Sequence, residues 1–119
     1  MMTLQDVRND FDLTNVIDWE MTPEDAVTLY LEWGNNWARS NYVIRGKDDV
    51  AHYFVVNTWE TPPVVYLIRR SSEEAVELAR TEMPDTIRDA FMESIGHNKG
   101  VYSTEGVVRD WLKAELGAA

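Results

Sequence analysis

Two histidines, five tryptophans and one Arg-Arg pair are the residues of this 119-residue chain whose chemistry reaches beyond packing. His52 and His97 are the only imidazoles, and cysteine is absent. Thiolate ligands and thiol nucleophiles are therefore excluded. A metal centre would need both histidines and several acids drawn together by folding, with outer groups to orient them. Glu93 and His97 have the i,i+4 spacing of a helical ligand pair, but Gly96 interrupts the helix between them. Asp10 and Asp12 open like a calcium loop. The loop's glycine position holds Asn15 and its bidentate glutamate position holds Met21, so no EF-hand is present. Phosphate-cradling glycine loops, nucleophile elbows and zinc-protease helices are missing too. The acid pairs Asp48-Asp49 and Glu73-Glu74 fall at a turn and a helix start, where carboxylates have structural work. No catalytic residue, no metal and no cofactor is expected.

Binding chemistry remains. Five tryptophans exceed what average composition gives. The ordinary use of tryptophan in a small domain is to fill the core, and Trp111, inside a helical apolar stripe, fits that use. Trp37 follows a helix end and Trp59 closes a strand beside two prolines. Tryptophan is enriched among the residues that dominate protein interfaces, so these two are the candidate partner-binding aromatics. Arg69 and Arg70, with Arg39, Arg45 and Lys47, form the one basic cluster and could receive a carboxylate or a phosphate. The competing assignment is pairing with the surrounding acids. His52 and Asn57 would join the two arginines if a small-molecule cleft lay beside the sheet.

An α+β domain must position these residues. Residues 51–59 and 64–70 are rich in β-branched and aromatic side chains. Glu60-Thr61-Pro62-Pro63 separates them and cannot continue a ladder, because proline has no amide proton. The pattern predicts a hairpin, 51–59/64–70, with both faces at least partly covered, and residues 41–45 are a candidate third strand. Thr3 caps a short helix over 4–11. Thr22-Pro23-Glu24-Asp25 starts a helix that Gly34 ends. Ser71-Ser72-Glu73-Glu74 reads as a capping box opening a helix that buries Ala75, Val76, Leu78 and Ala79. Pro84 opens another, with Ile87, Ala90, Phe91 and Ile95 as its stripe. Ser103 or Thr104 caps a last helix with Val107, Val108, Trp111, Leu112 and Leu116 on one face. The expected architecture is one domain over residues 1–119. In it, a small antiparallel sheet of two or three strands packs with four to five helices.

The net charge of −10 is unevenly placed. Residues 1–32 carry eight acids and one base, residues 33–72 three acids and five bases, and residues 73–119 ten acids and five bases. Such a surface repels nucleic acid and anionic membrane, so neither is expected as a partner. No apolar run reaches the roughly 18 residues a membrane span needs. The start, MMTLQDVRNDFDL, lacks a basic residue followed by an apolar run, so no signal peptide is expected and the localisation expected is cytoplasmic.

The stretches TPEDAVTLYLEWGNNW and YFVVNTWETPPVVYLIRR, within residues 17–70, resemble a small uncharacterised protein family of sulfate-reducing and related anaerobic bacteria. The resemblance implies a bacterial cytoplasmic protein and carries no catalytic residue with it. The function expected first is a non-enzymatic, acidic protein-binding or accessory module whose partner is another protein. One alternative is a small-molecule-binding protein or enzyme with a cleft beside the sheet. Another is a homodimer joined through the sheet edge at strand 64–70, which carries few edge-protecting charges.

Overall fold

The computed structural model describes residues 1–20, 50–71 and 75–117. The expected helix over 22–34, the candidate strand 41–45, and Trp37, Arg39, Arg45 and Lys47 lie outside the described residues.

The hairpin forms as its composition dictates. Strand β1 (Ala51–Asn57) pairs antiparallel with β2 (Val64–Arg70), from Ala51 opposite Arg70 to Asn57 opposite Val64. The sheet then departs from expectation. Among the described residues it has four antiparallel strands, not two or three, in the order β3-β2-β1-β4. Strand β3 (Ala75–Glu82) occupies the stretch expected to be a helix after Ser71. The local signals there favoured a helix, but β2 needs a partner on its outer side. Pairing from Val64–Glu82 to Arg70–Ala75, with an irregularity between Leu67 and Ile68, supplies it. Propensity is a weak prior against such a ladder. Strand β4 (Val101–Ser103) pairs with Val55, Val56 and Asn57. Three residues leave no readable alternation, so this strand was not expected either. Strand 64–70 is thus paired on both sides, which removes the exposed edge on which the dimer expectation rested.

Four helices are described. Thr3 and Asp6 form a reciprocal capping box on α1 (Leu4–Asn9). The single helix expected over 4–11 breaks at Asp10, whose side chain accepts from Leu13 N–H and starts α2 (Phe11–Val16). Pro84 precedes α3 (Asp85–Ser94), and Gly96, at φ 69°, follows it. Helix α4 (Gly106–Leu116) is preceded by Glu105, without a side-chain cap, where Ser103 or Thr104 was expected to cap; Gly117 closes it in the left-handed conformation.

Strand alternation divides the apolar residues between two faces. On one, Phe54, Val56, Val65 and Leu67 pack with Val7 of α1, Phe91 of α3, and Val108, Leu112 and Leu116 of α4. On the other, Tyr53, Val55, Val64, Tyr66, Ile68 and Ala75 form a second buried cluster. Trp111 and Trp19 pack half-buried against the first cluster, Trp19 stacked on Phe54 at 5.6 Å. Among the described residues no helix is long and apolar enough to cross a membrane.

Candidate functional site

At the far end of β1 the chain turns through Trp59. Asn57 Oδ1 accepts the Trp59 N–H at 2.9 Å, a side-chain-to-backbone bond that fixes the turn. The neighbouring Thr58 is buried. Its hydroxyl donates to the Asn98 carbonyl at 2.9 Å and accepts the Gly100 N–H at 2.8 Å, tying the turn to the segment before β4. On the other side, the Tyr66 hydroxyl donates to Glu60, whose second oxygen lies 3.5 Å from Arg80. Burial, and then the bond to Glu60, push the Tyr66 phenol above its usual value, so it remains a donor at neutral pH. Between these fixed neighbours the Trp59 side chain is 65% exposed. The Thr61–Pro62 peptide that follows is cis.

The other end of the hairpin gathers different chemistry. His52 and Arg69 are direct cross-strand partners on the face that carries the helices. Arg70, one residue on, alternates to the opposite face and is buried at 3% exposure. The two arginines therefore do not act as one basic cluster. Asn57 is six residues from His52 along the strand and uses its side chain in the turn, so it does not join His52 in a cleft. A shallow hollow of about 520 Å³ lies at the His52–Arg69 corner, and Asp10 and Asp12 line it as well. Those two acids were read from sequence only as a failed calcium loop. The hairpin register makes His52 and Arg69 neighbours, but no sequence signal brings the start of α2 over them.

A roomier hollow of about 670 Å³ lies between α3, β4 and the start of α4, against Phe91, Ile95, Val101, Tyr102 and Val107, with Glu105 as its charged residue. It contains none of the partner- or ligand-binding candidates named from sequence. His97 reaches Glu93 at 3.2 Å despite the helix break, with both side chains exposed. Among the described residues no three His, Asp or Glu side chains gather so as to hold a metal ion.

No family model, curated protein or solved structure matches the chain. The hairpin carries a pinned, solvent-facing tryptophan at one end and a hollow lined by both signs of charge at the other.

Proposed function

We propose that this chain is a non-catalytic protein-binding module, an accessory to a larger complex in the cytoplasm of an anaerobic bacterium, and that Trp59 anchors its partner. The observation that carries this reading is the 65% exposure of Trp59 on a turn fixed by Asn57, Thr58 and Glu60. An indole held in water gains by burial against another surface. Because the turn is already ordered, docking costs little conformational entropy. The partly exposed Glu60–Arg80 pair that follows the turn supplies polar groups suited to an interface rim. With a net charge of −10, the partner is a basic protein, and attraction between them speeds encounter at low salt.

Affinity capture from an anaerobic host at low salt tests this, with native protein and Trp59→Ala run side by side. One specific basic partner should be retained by the native protein and lost by the variant, whose melting temperature stays the same. Equal retention by both, or no specific partner, would overturn the proposal.

A further inference from the structure

Arg69 is exposed and forms no ion pair among the described residues, although Asp10 and Asp12 line the same hollow. In so acidic a chain, a guanidinium beside two carboxylates would ordinarily close on one of them. Here the opposite charges stay more than 4.0 Å apart. Asp10 is engaged by Leu13 N–H at 3.0 Å, whereas the Asp12 side chain takes part in no hydrogen bond among the described residues.

His52 adds a second, independent feature. Its Nδ1 is buried and has no hydrogen-bond partner among the described residues. A proton there would be a buried, unsatisfied N–H, so the cheaper tautomer carries it on Nε2, which is then a free donor. Burial, and after it the charge of Arg69, hold the imidazole below its usual 6.5, which keeps it neutral near pH 7. Leu13 and Val16 of α2 and Leu78 of β3 add apolar wall to the hollow.

We propose that this hollow binds a free α-amino acid with an apolar side chain. Its carboxylate sits between the Arg69 guanidinium and His52 Nε2–H, its ammonium meets Asp12, and its side chain lies against Leu13, Val16 and Leu78. Charge complementarity selects the zwitterion. A simple carboxylate would face two aspartates, and a simple amine would face Arg69. A molecule carrying both charges answers both sides. The site lies at the opposite end of the hairpin from Trp59 and does not depend on the protein-binding reading.

The test is a ¹⁵N NMR titration of the whole protein with L-leucine up to about 10 mM, beside 4-methylpentanoate and 3-methylbutylamine, which each keep one of its two charges. Leucine should shift the amides around His52, Arg69 and α2, and each half-molecule should bind at least about ten-fold more weakly. Arg69→Gln and Asp12→Asn should each weaken leucine about ten-fold while the melting temperature holds. Asp12 is exposed, so its variant keeps the test decisive even if Arg69→Gln fails to fold. The idea is overturned if leucine shifts nothing, if 4-methylpentanoate or 3-methylbutylamine binds as tightly, or if the variants titrate like the native protein. None of these outcomes touches capture by Trp59.

Discussion

Thr58 joins the Trp59 turn to the segment before β4, and its hydroxyl is the joint. It satisfies the Gly100 N–H and the Asn98 carbonyl inside a buried environment. Thr58→Val keeps the shape and removes both bonds, leaving the partly buried Gly100 N–H without its hydroxyl partner. The expected cost is about 1–3 kcal/mol in urea unfolding, with weaker partner capture because Trp59 is less firmly held. A variant as stable as the native chain would show that water replaces the hydroxyl. His52 makes a prediction of a different kind. Its folded pKa is depressed, so the stability it contributes is fully present above the ordinary value of 6.5 and is lost as pH falls through the folded value. Asp6 behaves likewise lower down. The Thr3 backbone bond, then the Thr3 hydroxyl, lower its pKa, so its contribution is present above 3.8 and lost below. Denaturation midpoints should therefore begin to drop below about pH 6.5, and His52→Gln should remove that first drop while leaving the acid one. Parallel curves for the two proteins would place the titrating group elsewhere.

Helix α4 is held by the face it buries. On α4, Val108, Leu112 and Leu116 recur every four residues and are 0%, 0% and 6% exposed. Val107 on the same helix is 44% exposed. Leu112→Ala should cost about 2–5 kcal/mol because it opens a cavity between α4 and the sheet. Val107→Ala should stay within about 0.5 kcal/mol. Thermal unfolding of the two variants compares them directly, and similar losses would mean that the amphipathic reading of α4 is wrong. Strand β3 teaches the converse lesson. Ala75, Val76, Leu78 and Ala79 satisfy a helical stripe, and Glu77, Arg80 and Glu82 favour helix as well. The pairing with β2 outweighs these preferences, since an unpaired β2 would leave a row of buried amides and carbonyls without partners.

At the scale of the molecule, the excess of acid sets the response to salt. Ion pairs such as Arg80–Glu60 and Arg88 with Asp85 and Asp89 lie at the surface in contact with solvent and contribute little. General repulsion at net −10 opposes the compact state and is screened by added ions. The melting temperature at pH 7 should rise by a few degrees, about 2–5 °C, between low salt and about 0.5 M NaCl. A steady fall instead would show that specific ion pairs outweigh the repulsion.

Local chemistry was legible in the residues themselves. The prolines after Glu60, the β-branched runs on either side, the Thr3 cap, and the stripes of α3 and α4 each depend on neighbours within a few positions, so sequence alone fixes them. Sequence also placed Arg70 one step from Arg69, which by the two-residue period of a strand already puts them on opposite faces. Non-local pairing was not legible. Whether 75–82 coils or extends depends on the open side of β2, and three residues at Val101–Ser103 become a strand only because β1 offers them a ladder. The exposure of Trp59 and the meeting of His52 and Arg69 with Asp12 likewise belong to the tertiary structure. They join segments some 40–57 positions apart, and the free energy that decides such contacts comes from packing the whole core rather than from any stretch of chain.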